Sequence, residues 1–254
     1  RDEFSIDSLD VVDMSFMKGF LFVERLNISN NRIRDLSILK NLKSISWLEA
    51  NNNEISDVSS ISGLKKLKTL ELENNKIRDL EDIGKMIWIE NLSLNKNRIF
   101  DVEPLCEMNS LKELNLSNTR INSISALKKL KNITKLDLSS NKLLTDLDGI
   151  QTFKRLNYIN ISNTNIEDLT PLQSKDELAT VVLANTLVTN IEVLKKMKFL
   201  SYINLVGDSI NCNDLTDWKF SGQLKIWNGN FMETVGEKDK GNFGILNGRL
   251  VKNY

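Results

Sequence analysis

The stretch LELENNKIRDL at residues 70–80 sets an uncharged polar residue, Asn75, between Leu72 and Ile77, two positions of core character. Taken alone, such an Asn is a turn residue, a helix cap or a binding group. Stepping along the chain in 22s separates these readings. Backward lie Asn53, in LEANNNEISDV, and Asn31, in LNISNNRIRDL. Forward lie Asn97, Thr119 and Asn141, then, after one step of 23, Thr164, followed by Thr186 and Asp208. The apolar flanks keep step. One column runs Leu26, Leu48, Leu70, Leu92, Leu114, Leu136, Ile159, Val181, Ile203. A second runs from Ile28 through Ala50 and Leu72 to Leu205, and a third from Ile33 through Ile121, Leu143, Ile166 and Val188 to Ile210. The period covers residues 22–211, about three-quarters of the chain.

Each unit of this period reads LxxLxLxxNxI followed by D-L-x-x-L/I-x-x-L. The alternating LxL piece predicts a short strand. The tail, as in DLSILKNLK at 35–43, spaces apolar residues by three and predicts a 3₁₀ or helical turn. Such units bury their apolar edge only against neighbours, so the expected fold is an α/β solenoid. It is a curved array with a parallel concave β-sheet and convex turns. Where the chain bends from strand to turn, backbone groups lose their ladder partners, and each left unpaired in the interior costs about 1–3 kcal/mol. A carboxamide both donates and accepts. Asn31, Asn53, Asn75, Asn97 and Asn141 are therefore expected to form a structural ladder, with Thr119, Thr164 and Thr186 doing part of the work.

These motifs resemble the leucine-rich repeat of the short 22-residue class. The likeness is to bacterial internalins and to the regulatory subunits of type-one protein phosphatase. DVEPL (101–105) and DLTPL (168–172) are internalin-like in placing Pro in the convex turn. Residues 1–21 read as a degenerate repeat or end of the array, with Phe4, Ile6, Leu9, Val11, Met14, Met17 and Phe20 in step. Residues 212–254 read as a C-terminal extension with two β-hairpins, because Asn228-Gly229 and Asn247-Gly248 each sit between β-rich segments. GEKDKG (236–241) would connect them, and Trp218, Phe220, Leu224 and Trp227 are expected to shield the last repeat.

Composition narrows the function. Lys+Arg and Asp+Glu are both 34, which gives no net attraction to phosphate backbones or an anionic surface. No apolar run is long enough to insert into a bilayer. The chain has no histidine, which removes the commonest general base and most zinc designs. There is no GxSxG and no phosphate-binding glycine loop. Glu71 and Glu73 are expected on opposite pleat faces or in solvent, without the desolvation that shifts a pKa usefully. The column Asp35, Asp57, Asp79, Asp101, Asp146, Asp168 suggests calcium. One carboxylate per repeat is too sparse for that ion, and each Asp stands where it can cap exposed N–H groups. No catalytic, metal or cofactor site is expected. Cys106 and Cys212, about five strands or 24 Å apart, should be free thiols or else make intermolecular bonds.

The concave face remains as the candidate site. Trp47, Tyr158 and Tyr202 point outward there and have the profile of binding hot spots, or else Trp47 covers a neighbouring Asn or Leu edge. Arg25, Glu49, Glu71 and Leu187 accompany them. A basic column through Lys76, Arg98, Arg120 and Lys142 either meets an acidic partner or is neutralised by Glu71, Glu73, Glu113 and Asp137. Trp88 and Phe100 lie on loops and mark a lateral patch or local packing. The resemblance implies a non-enzymatic protein-binding module, a bacterial secreted or surface protein contacting a host or partner protein. An intracellular scaffold or regulatory subunit and a structural spacer are the alternatives. The chain opens RDEFSID without Met, as a trimmed segment would. This leaves the compartment open, with secreted or surface favoured slightly over cytoplasmic.

Overall fold

The computed structural model describes residues 3–208, together with the backbone of four later strands: Leu224–Trp227, Met232–Val235, Phe243–Leu246 and Arg249–Lys252. The chain divides into two units, Arg1–Ile121 and Asn122–Tyr254. Each is a stretch of leucine-rich-repeat solenoid.

In the first unit the strands are β1 (Glu3–Ser5), β2 (Arg25–Asn27), β3 (Trp47–Glu49), β4 (Thr69–Glu71), β5 (Asn91–Ser93) and β6 (Glu113–Asn115). They pair parallel in chain order, one repeat apart, as Leu26 with Leu48, Leu48 with Leu70 and Leu92 with Leu114. β1 joins with Phe4 opposite Leu26. Between strands run single turns, four of them 3₁₀ (Ser15–Met17, Ser37–Asn41, Ser59–Ile61, Glu103–Glu107) and one α-helical (Glu81–Gly84). The core fills the space between sheet and turns. Leu26, Leu48, Leu70, Leu92 and Leu114 come from the strands, Ile33 to Ile121 from the bends, and Leu39, Ile61, Ile83 and Leu105 from the turns; all are buried. Each such side chain contributes about 1.5–3 kcal/mol. At the N-terminal end the packing loosens. Leu9, in the ladder's column, is 63% exposed, and Phe20 lies against Phe4 with ring centroids 4.7 Å apart.

In the second unit the parallel strands are β7 (Lys135–Asp137), β8 (Tyr158–Asn160), β9 (Thr180–Val182) and β10 (Tyr202–Asn204). The turns are 3₁₀, at Ser125–Lys129, Ile150–Thr152, Thr170–Leu172 and Leu194–Lys196. β11 (Leu224–Trp227) adds to β10 in parallel and pairs antiparallel with β12 (Met232–Val235). β13 (Phe243–Leu246) and β14 (Arg249–Lys252) form a separate antiparallel pair. Antiparallel pairs thus flank both Asn-Gly dipeptides. Trp218, Phe220, Cys212 and Ile210 lie outside the described residues, as do the side chains of Leu224 and Trp227. One core position needs correction. Leu143, assigned to the third column, is 63% exposed, and Leu144 is the buried residue. The 23-residue repeat carries its extra residue between Asn141 and Leu144. The carbonyl of Leu144 accepts from the Asn165 N–H, just as Ile33, Ile55 and Ile77 accept from Glu54, Lys76 and Arg98.

The polar column is a ladder between repeats. Asn75 Nδ2 donates to Ala50 O of the preceding repeat at 2.9 Å and to Leu72 O of its own at 3.1 Å. Its Oδ1 accepts from the Ile55 N–H at 3.0 Å. Asn53 and Asn97 repeat this arrangement, and Asn31 does so with Ile6 O and the Val11 N–H. Asn141 donates to Leu138 O. Thr119 and Thr164 donate their hydroxyls to carbonyls three residues back, Leu116 O and Ile161 O. Thr186 donates instead to Asp208 Oδ1. At Asp208 a carboxylate stands in the ladder. Its Oδ2 is buried without a hydrogen-bond partner among the described residues, and burial pushes the carboxyl up to about 6.

The residue before each ladder position has a left-handed backbone. Asn30, Asn52, Asn74, Lys96 and Asn118 have φ between 51° and 57°, and Ser140, Asn163, Asn185 and Gly207 repeat this in the second unit. Asn and Gly tolerate that region better than other residues, which accounts for the doubled Asn of NN at 30–31 and 74–75. Several of these side chains form an outer chain of bonds, Asn74 to Asn52 to Asn30.

Candidate functional site

The aspartate column caps the turns. Asp35, Asp57, Asp79, Asp101, Asp146 and Asp168 each accept the N–H two residues on, at 2.7–3.0 Å. For Asp57 the Ser59 N–H holds the carboxyl below its ordinary range; for Asp168 the Thr170 hydroxyl and N–H do so. Among the described residues, no cluster of three or more His, Cys, Asp or Glu side chains could hold a metal ion. Cys106 is a half-exposed free thiol.

On the first unit's sheet face, three candidate residues come together. The Arg25 guanidinium lies 4.1 Å from the Trp47 ring centroid, and Trp47 Nε1 donates to Glu49 Oε1 at 2.7 Å. β2 and β3 align Arg25 directly opposite Trp47, which produces the stack. Trp47 is therefore half-buried and held on two sides, not a free aromatic. Glu71 accepts from Asn51 Nδ2 at 3.1 Å, and Glu73 pairs with Lys96 at 2.6 Å. Neither stands idle in solvent, and Glu73 lies two residues beyond Glu71, past the end of β4. The polar groups of this face are largely satisfied by one another.

The basic column divides. Glu54 pairs with Lys76 at 2.7 Å and with Arg34 at 2.8 Å, and the Lys76 and Arg34 bonds hold its carboxyl below the usual range. Arg98 and Arg120 are exposed and make no side-chain hydrogen bond or ion pair with any described residue; Lys142, in the second unit, is likewise exposed. All three sit after the strands, on the edge rather than the sheet face. Of the two loop aromatics, Trp88 is tied down through its Nε1 to Leu64 O at 3.0 Å, whereas Phe100 is 65% exposed.

The second unit's face has a different character. Tyr158 on β8 and Tyr202 on β10 both align with Thr180 on β9. With Thr180 between them, the two tyrosine positions stand about two strand spacings, roughly 10 Å, apart. Val182 is half-exposed, and Leu187, just past the strand, is 49% exposed. Burial raises the Tyr158 hydroxyl, the Asp137 charge adds to this, and Asn160 partly offsets it. The phenol is therefore a neutral hydrogen-bonding group at physiological pH. Asp137 accepts from Ser139 and from Asn160 Nδ2, so its charge is engaged locally.

One buried group was not anticipated. Lys175 is 1% exposed and occupies the column of Leu130 and Phe153. Its ammonium donates to Gln151 O at 3.0 Å; burial, followed by repulsion from Lys154, pushes its pKa down to about 8. Counting 22 residues on from Phe153 would have placed it in the core.

The profile of the family described as Leucine Rich repeats (2 copies) matches residues 46–85 and 109–152. A crystal structure of internalin inlF from Listeria monocytogenes superimposes with a TM-score of 0.81 at 23% identity, covering 89% of this chain and 66% of that one. Internalin C2 from the same organism gives 0.67 at 28% identity, covering 71% of this chain and 79% of that one. The Leptospira interrogans LRR protein LIC12759 gives 0.66 at 20%, covering 83% and 62%. The chain spans less than two thirds of the inlF and Leptospira structures. A search of curated protein sequences gives no match. Leucine-rich repeats are typically non-enzymatic protein-interaction modules. No helix among the described residues is long and apolar enough to cross a membrane.

Proposed function

From a leucine-rich-repeat chain that resembles the internalins, we propose a protein-binding module that docks its partner on the second unit's sheet face, at Tyr158, Thr180, Tyr202, Val182 and Leu187. The chain works without catalysis, as a bacterial secreted or surface protein that contacts a host or neighbouring protein. The observation that carries this reading is the contrast between the two faces. Trp47 is already occupied by Arg25 and Glu49, whereas the tyrosines flank a small residue on the neighbouring strand. Aromatic side chains fixed on a rigid sheet lose little entropy on binding and concentrate binding energy.

The test begins with a partner purified from surface or culture extracts and titrated calorimetrically. The double variant Tyr158→Ala/Tyr202→Ala is expected to weaken binding by about 100-fold, roughly 2.7 kcal/mol, while Trp47→Ala costs less than tenfold. Unchanged affinity in the double variant, with its Tm preserved, would place the contact elsewhere.

A further inference from the structure

The first unit carries a second surface, on the loops that follow its strands. Arg98 and Arg120 occupy equivalent places in consecutive repeats. Their N–H groups bond to the carbonyls of Ile77 and Ile99, which sets Arg98 against the segment holding Arg78 and Arg120 against the segment holding Phe100. Arg78, Arg98 and Arg120 are exposed and make no ion pair or side-chain hydrogen bond with any described residue, whereas Lys76, Lys96 and Lys112 each have a carboxylate partner. Among them stands the Phe100 ring, 65% exposed, with Arg78 at the wall of the same shallow recess of about 310 Å³. Three guanidiniums that form no ion pair with a described residue thus stand near one bare aromatic ring, with the carboxylates of Asp79, Glu81 and Asp101 confined to the recess beside Arg78.

We propose that this row, Arg78, Arg98, Phe100 and Arg120, binds an acidic protein segment that carries an apolar or aromatic residue. Guanidiniums take carboxylates in paired hydrogen bonds, and Arg is the commonest charged hot-spot residue. Successive repeats lie about 4.8 Å apart, so a chain laid across them meets a fresh guanidinium every one to two of its own residues. The neighbours decide against nucleic acid. Asp79, Glu81 and Asp101 line the turn side of the recess. A broad polyphosphate would be driven onto these carboxylates, whereas a narrow peptide can keep to the arginine row. This surface goes beyond the tyrosine face and belongs to the other unit, so the two readings stand or fall separately.

Fluorescence anisotropy with a labelled ten-residue peptide of alternating Glu and Tyr tests it, with a labelled ten-nucleotide oligo-dT and a Lys–Tyr peptide as comparison probes. The Glu–Tyr peptide is expected to bind saturably and to weaken with added salt. Arg98→Glu/Arg120→Glu should lower its affinity at least tenfold and Phe100→Ala severalfold. Tyr158→Ala/Tyr202→Ala should leave it unchanged. Absence of saturable binding, equal affinity for the Lys–Tyr peptide, or charge-reversed protein that binds as the parent does would overturn the proposal. Oligo-dT binding as tight as the acidic peptide would replace it with a nucleic-acid site. All three altered residues are exposed, and an unchanged circular dichroism melt confirms that each variant is folded.

Discussion

Replacing Asn75 by Ala is expected to cost about 3 kcal/mol of unfolding free energy, far more than a typical surface substitution. The loss can be followed group by group. Ala50 O keeps Asn53 Nδ2, Leu72 O keeps Asn97 Nδ2, and Glu73 O keeps the Asn52 N–H. The Ile55 N–H keeps nothing, because Asn75 Oδ1 is its acceptor among the described residues. A buried donor without an acceptor costs about 1–3 kcal/mol, and the hydrogen bonds lost beside it add about 1 kcal/mol or more. Asn75→Thr should recover only the bond to the carbonyl three residues back, as Thr164 makes it at 2.6 Å, and leave the Ile55 N–H unmatched. Urea unfolding measures both; a loss below about 1 kcal/mol for the Ala variant would mean that water replaces the ladder there.

Lys175→Met is expected to act in the opposite direction, stabilising the protein by about 2 kcal/mol at neutral pH. In the unfolded chain this lysine has its ordinary pKa of 10.5, and in the fold about 8. Below pH 8 both states hold the proton, and the fold bears the whole cost of burying the charge, about 3 kcal/mol for a shift of this size. The variant removes that cost but leaves Gln151 O without its donor, which returns about 1 kcal/mol. Methionine suits the column, since Met86 and Met108 fill its positions in the first unit. The linkage has a definite sign. Between about pH 8 and 10.5 the unfolded state binds more protons, so the parent's stability rises with pH through this window. The variant should lose that rise. Thermal melts across pH 7–10 check it, and a parent profile that is flat or falling there would show the amine to be compensated.

The Asn ladder and the turn-capping Asp column were legible in the sequence because both depend on backbone groups that recur with the period. Any residue of the right chemistry in the right place performs the same bond. Leu143 was misassigned for the same reason in reverse. Two adjacent leucines both fit the pattern, and only the path of the bend after Asn141 decides which turns inward. The candidate face was legible as a set of outward positions but not as a surface. Whether Trp47 is free depends on Arg25 reaching across from the next strand, a relation between two side chains that spacing does not encode. The bare Phe100 and the tethered Trp88 looked alike in sequence. They differ through one bond to Leu64 O. Lys175 escaped because a charged residue is not sought in a core column, although its position was countable. The left-handed column at Asn30, Asn52 and Asn74 passed as part of the ladder, because adjacent asparagines conceal two distinct jobs.

The central functional claim is that the partner sits on the sheet face at Tyr158, Thr180 and Tyr202. Benzoylphenylalanine in place of Thr180, between Tyr158 and Tyr202, reports directly on what lies there, and the same probe in place of exposed Lys128 on a turn of the same unit serves as reference. Irradiation with the purified partner should give a crosslink from position 180 and none above background from position 128. Crosslinks from 128 with none from 180 would contradict the account.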